Sequence, residues 1–66
     1  MTASQMITIV NSDKVQYAIN KSMIIQVVAV SAADASQSFV YYQFGDGVKS
    51  IHTNESVESL MARING

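Results

Sequence analysis

The chain has 66 residues, of which 48% are hydrophobic, with four basic and five acidic side chains and a formal charge of −1. It has no cysteine and a single histidine, which excludes disulfides and thiolate metal sites and leaves too few ligands for a histidine-based one. The near-neutral balance predicts no strong long-range pull on nucleic acid or an anionic membrane, so any such contact must rest on local patches.

Residues 1–4 read as loose. Residues 6–10, Met-Ile-Thr-Ile-Val, read as a first strand, stopped by Asn11-Ser12-Asp13-Lys14, whose short polar side chains favour turns by bonding to nearby backbone. Residues 15–19 form a second strand, with Val15, Tyr17 and Ile19 on one face and Gln16 and Ala18 on the other. Asn20-Lys21-Ser22 is the next turn. Residues 23–30 are apolar on both faces except at Gln26, the pattern of a strand that is central, strongly curved or at an interface. Exposed at an edge, the same segment would be an aggregation hazard.

The stretch from Ser31 to Ser38 is small and polar and reads as a surface loop; a helical turn over residues 32–35 has alanine propensity in its favour but nothing to hold it down. Residues 39–44 and 48–53 flank Gly45-Asp46-Gly47, where two glycines supply the positive φ angles of a three-residue hairpin loop with a bulge. Beyond it the apolar period changes from two to the helical spacing of Val57, Leu60, Met61 and Ile64. Asn54 stands at an N-cap position, Glu55 and Glu58 lie toward the positive end of the helix dipole, Arg63 is in the last turn and Gly66 suits the stop, which predicts a helix over residues 55–65.

The expected fold is therefore mainly β: one domain over residues 1–66, five short antiparallel strands curled into a strongly bent sheet or small barrel, and one C-terminal helix laid across an open end or face. A domain this small hides only about 60% of the surface its unfolded chain exposes. With disulfides and metal removed, association with copies of itself is the remaining source of stability. No apolar run approaches the length of a transmembrane helix, and residues 1–5 lack a basic n-region, so the cytoplasm is the expected location and no membrane partner is expected.

Catalysis finds little support. His52 near Glu55 has the composition of a general base beside a carboxylate, but no nucleophile motif accompanies it, and alternation places it as a half-exposed sheet histidine opposite Ile51. Glu55 and Glu58, three apart on the expected helix, have no obvious third metal ligand. The glycines of residues 45–47 are too few for a phosphate-binding fingerprint. No catalytic residue, metal or cofactor is expected. Phe39, Tyr41, Tyr42 and Phe44 crowd one strand and Tyr17 sits on another, as in sheets that stack single-stranded bases, although such rings equally serve packing. Lys21 and Lys49 follow turns, and repetition in an oligomer would turn each into a ring of charge.

Five short strands with turns at Asn20-Lys21-Ser22 and Gly45-Asp46-Gly47 resemble, over roughly residues 6–53, the Sm-like (LSm) fold, a small SH3-like β-barrel, in particular the small Sm-like proteins of marine phage. The resemblance implies RNA held at the loop between the second and third strands, matched here by Asn20 and Lys21, and at the loop between the fourth and fifth, matched by Gly45, Gly47 and Lys49. Asp46 stands where that family has a basic arginine-glycine element, and the helix follows the strands instead of preceding them. The segments Met6-Ile7-Thr8-Ile9, Asn20-Lys21-Ser22-Met23-Ile24 and Glu55-Ser56-Val57-Glu58, ending in Arg63-Ile64, also look like the small flagellar FlbD-type proteins. The functional expectation is a non-enzymatic homo-oligomer, a ring, that binds single-stranded RNA or DNA near Asn20, Lys21, Gly45, Gly47 and Lys49 with Tyr41 or Tyr42 as stacking partners. The alternative is a structural or adaptor subunit of phage or flagellar type without nucleic-acid binding.

Overall fold

Alternating β-branched residues and a terminal helical stripe produce the elements expected of them. In the computed structural model, residues 5–66 are described; the loose stretch expected at residues 1–4 lies outside them. The elements are β1 (Met6–Val10), β2 (Gln16–Asn20), β3 (Ile24–Ala29), β4 (Ser38–Phe44), β5 (Gly47–Thr53) and α1 (Val57–Asn65). The mainly β fold with one C-terminal helix is thus as expected. Its strands divide between two antiparallel sheets, a β1-β2 hairpin and a three-stranded β3-β4-β5 sheet. Among the described residues one bridge, Asn11 to Thr53, joins them at one corner.

The departures from the expected boundaries have local causes. Asn11 Oδ1 accepts from the amides of Asp13 (2.8 Å) and Val15 (2.9 Å), which holds Val15 in the turn and starts β2 one residue late. Lys14 takes the left-handed conformation in that turn, with φ 68. Asn20 closes the hairpin opposite Met6 and, through Oδ1, caps a single 3₁₀ turn, Lys21–Met23, which removes Met23 from the third strand. A register shift between Ile24 and Gln26 follows, leaving Ile25 bulged and 58% exposed. The strand that is apolar on both faces is therefore an edge strand.

The hairpin after β4 is tighter than expected. Phe44 pairs directly with Gly47, so the loop is Gly45-Asp46 alone, and only Gly45 has positive φ (60°). That is the pattern of a two-residue II′ turn, in which one glycine suffices. The helix also starts later than Asn54 implies: Ser56 is the N-cap, its hydroxyl accepting from the Ser59 amide at 3.1 Å. No helical turn forms over residues 32–35. There Asp34 ties the loop to itself, accepting from the Ser36 amide and hydroxyl.

The buried core is Ile7, Ile9, Ile19, Val40, Ile51 and Leu60. Ile7 and Ile9 come from the inward face of β1, and Leu60 carries the helix stripe down onto both sheets. Around them Tyr17, Ile24, Val27, Tyr42 and Ile64 are partly buried. Two buried hydroxyls fasten the layers, because a buried donor must find an acceptor: Thr53 donates to the Val10 carbonyl at 2.7 Å and Ser38 to the Glu55 carbonyl at 2.8 Å. Arg63 completes the closure, donating to the Thr8 carbonyl while pairing with Glu55 at 2.5 Å.

Candidate nucleic-acid interface

Strand alternation decides which of the aromatic residues meet. Along β4, Val40 and Tyr42 share the core face, while Phe39 and Tyr41 point the other way. Tyr41 therefore lies on the outer face of the three-stranded sheet, its ring centroid 6.3 Å from that of Phe39, which in turn sits 5.1 Å from His52. Tyr41 and Tyr42, paired in the sequence reading as alternative stacking partners, stand on opposite sides of the sheet.

The core face opens at its end into a concavity of about 240 Å³, lined by Tyr17, Ala18, Ile19 and Asn20 of β2, Met23, and Tyr42, Gln43 and Phe44 of β4. Tyr42 and Phe44 meet edge to face there, with centroids 6.5 Å apart. In the β4-β5 register Tyr42 lies opposite Lys49, and the Lys49 ammonium rests 4.6 Å from the centre of the Phe44 ring. A cation over a ring face is held by the ring's quadrupole, so the charge is kept at the rim of an aromatic hollow. Phe44 is 60% exposed.

The seven residues singled out in the sequence thus separate into groups. Asn20, Tyr42 and Lys49 gather at or beside the concavity. Gly45 and Gly47 lie at the hairpin tip next to Phe44, where neither has a neighbour within 4 Å of a would-be Cβ. Lys21 opens the 3₁₀ turn, its amide donating to the Gln5 carbonyl at 2.7 Å, and lines a separate groove of about 340 Å³ with Ile24, Val27, Met61 and Ile64. Asn20 Oδ1 is occupied by the Ser22 amide (3.0 Å) and hydroxyl (2.9 Å), so the amide group of Asn20 keeps only its N–H donors for other partners.

Tyr17, Met23 and Phe44 belong to the concavity but were not among those seven. The signal for Phe44 was its spacing of two from Tyr42, and for Tyr17 its place on the apolar face with Ile19; Met23 gave none, since its position depends on the 3₁₀ turn.

The juxtapositions considered for catalysis and metal do not form. His52 Nε2 is 2.8 Å from Gln37 Oε1. Glu55 instead accepts from Ser59 Oγ at 2.6 Å and pairs with Arg63, and it precedes the helix, so it is not a helical neighbour of Glu58. Among the described residues no cluster of three or more histidine, cysteine, aspartate or glutamate side chains comes together. No family model, curated protein or solved structure matches the chain.

Proposed function

We propose that this chain is a non-enzymatic, self-associating module of Sm-like type that binds single-stranded RNA or DNA, with the hollow between Tyr17, Tyr42 and Phe44 taking a base and Lys49 meeting the adjoining phosphate. The observation that carries the reading is the coincidence of an open aromatic concavity with a lysine held at its rim by a ring contact. Every base has a π-face, so aromatic stacking tolerates any sequence and contributes about 1–3 kcal/mol per base. The glycines of the hairpin tip adjoin Phe44 at one end, and Lys21, next in the chain to Asn20, would meet the strand where it leaves the hollow toward the neighbouring groove. The five antiparallel strands and their loops support the Sm-like assignment; the acidic Asp46 at the hairpin tip and the terminal helix are its departures. Among the described residues no helix is long and apolar enough to cross a membrane, and the reading places the protein in the cytoplasm.

Few cations limit the electrostatics. Arg63 is paired with Glu55 and Lys14 sits in the β1–β2 turn, at the opposite end of that hairpin from Asn20, so one or two phosphate contacts per copy are available from Lys21 and Lys49. For single strands this corresponds to a log–log salt slope of about −0.7 to −1.4 per copy. Affinity then depends on several copies engaging one strand. A low-salt titration with labelled poly-U and poly-A tests the reading: binding should appear, weaken with added salt, and fall on Lys21→Ala together with Lys49→Ala. Absence of binding, or binding unchanged in the double variant, overturns it.

The exposure of Ile25, Phe44 and Val48, each near 60%, favours a second reading, a structural or adaptor subunit that meets another protein. Its signature is a protein complex that persists at high salt with no affinity for oligonucleotides.

A further inference from the structure

Hydrogen bonding along the hairpins reveals which strand edges are open. The Asn11 amide donates to the Val15 carbonyl and the Lys21 amide to the Gln5 carbonyl, so alternate residues of β1, including Thr8 and Val10, turn their backbone groups away from β2. That outer edge of β1 is protected: Thr8 O accepts from Arg63 and Val10 O from Thr53. On β3 the Val30 amide donates to Gln37 O of the β4 side, and alternation then turns the N–H and C=O of Val27 and Ala29 outward. Among the described residues no strand pairs with that edge of β3.

Apart from the bulge at Ile25, the open edge of β3 lacks the usual protection. Ile24–Ala29 contains no charge and no proline, the devices by which edge strands ordinarily repel one another. Its flanking side chains are apolar and exposed: Ile25 at 58%, Val28 at 37% and Val30 at 38%. Among the described residues the other open edges differ in kind. Gln16 and Ala18 lie along that of β2, which borders the concavity assigned above to nucleic acid, and Val48 and Ser50 along that of β5, beside Lys49.

We infer that β3 pairs antiparallel with β3 of a second copy, joining two three-stranded sheets into one of six strands across a two-fold axis near Val28. An antiparallel two-fold pairing sets Val27 opposite Ala29 of the second copy, brings the two Val28 side chains side by side and places Gln26 against Val30, so apolar residues meet apolar residues at the centre with one polar side chain at each flank. Pairing β3 with β2 of a second copy would set the apolar edge against Gln16 and Ala18 and crowd the concavity, and pairing it with β5, the other head-to-tail arrangement, would set it against Ser50 on the strand that carries Lys49. A stable interface takes about 800 Å² from each partner, roughly a fifth of the 4522 Å² that the chain exposes. The strand edge with Ile25, Val28, Val30 and the neighbouring Met61 (38% exposed) supplies the apolar part of that area. The inference rests on the self-association in the proposed function and specifies its geometry.

Light scattering at micromolar concentration should give twice 7.2 kDa for the natural chain and for the control Val48→Lys, an exposed position on the far strand, but 7.2 kDa for Val28→Lys with an unchanged circular dichroism spectrum. Hydrogen exchange on the natural chain gives an independent readout: the Val27 and Ala29 amides should become protected as concentration rises. A single copy at every concentration overturns both the pairing and the self-association proposed above. A multimer whose mass survives Val28→Lys, or whose Val27 and Ala29 amides exchange independently of concentration, overturns the β3 edge alone and leaves self-association standing. An assembly larger than two copies overturns the two-fold arrangement.

Discussion

Replacing Leu60 by alanine tests whether the terminal helix is part of the core or an appendage. Leu60 is fully buried among Ile7, Ile9, Ile19, Val40 and Ile51, one of six buried apolar side chains among the described residues. Deleting a buried leucine side chain costs roughly 2–5 kcal/mol, because transfer energy is lost and the cavity closes only in part. A chain of this length is expected to have a total stability of about 3–10 kcal/mol. A loss of about 3 kcal/mol would therefore remove a third or more of it and, with a urea m-value near 1 kcal/mol/M, lower the midpoint by about 3 M. Met61→Ala, on the same helix but 38% exposed, should cost under about 1 kcal/mol. The assay is urea unfolding followed by circular dichroism at a protein concentration low enough that the single copy prevails, so that Met61, which borders the inferred interface, is not also scored for association. Equal midpoints for Leu60→Ala and Met61→Ala would refute the reasoning, because the helix would then cover no core.

Ser56→Ala should destabilise by about 1 kcal/mol through loss of the cap on the Ser59 amide, whereas Asn54→Ala should be near neutral in the same unfolding assay; the reverse order would restore Asn54 as the cap. Gly45→Ala should cost about 1–2 kcal/mol, since φ +60 is unfavourable for any residue with a Cβ, while Gly47→Ala should be tolerated, and equal costs would contradict the two-residue turn. Hydrogen bonds from the Ser36 hydroxyl and amide hold the Asp34 carboxyl below its ordinary value of 3.8. Because the folded value is depressed, the loop ordering it provides is present above the unfolded value and lost as pH falls through the folded one. An NMR titration of the Ser36 amide should therefore show a midpoint below 3.8, and a midpoint at or above that value would contradict the loop geometry.

The five strands and the helix were legible because the apolar period is strong where side chains alternate in and out, as at Ile7 and Ile9, and changes visibly at Val57. What escaped the sequence were features that side-chain hydrogen bonds decide. Asn11 bonding to the Val15 amide, Asn20 capping the 3₁₀ turn and Ser56 in place of Asn54 each move a boundary by one or two residues. Residues 23–30 read as a strand that is central, strongly curved or at an interface, since a two-sided apolar run reports no neighbours; the bulge at Ile25 and the open edge are properties of pairing. The candidate site was half visible for the same reason. Tyr42 and Lys49 were in view, but the hollow they border needs Tyr17 from the other hairpin and Met23 from the turn.

The most direct test of the proposed binding site is an NMR titration of the isotopically labelled protein with a short single-stranded oligonucleotide at low salt, following every backbone amide. The account predicts that the largest shifts fall on residues 17–20, 23 and 42–49, around the Tyr17–Tyr42–Phe44 hollow and Lys49, and that they vanish with Tyr42→Ala. Shifts confined to the opposite sheet face around Phe39, Tyr41 and His52, or no shifts at millimolar oligonucleotide, would contradict it.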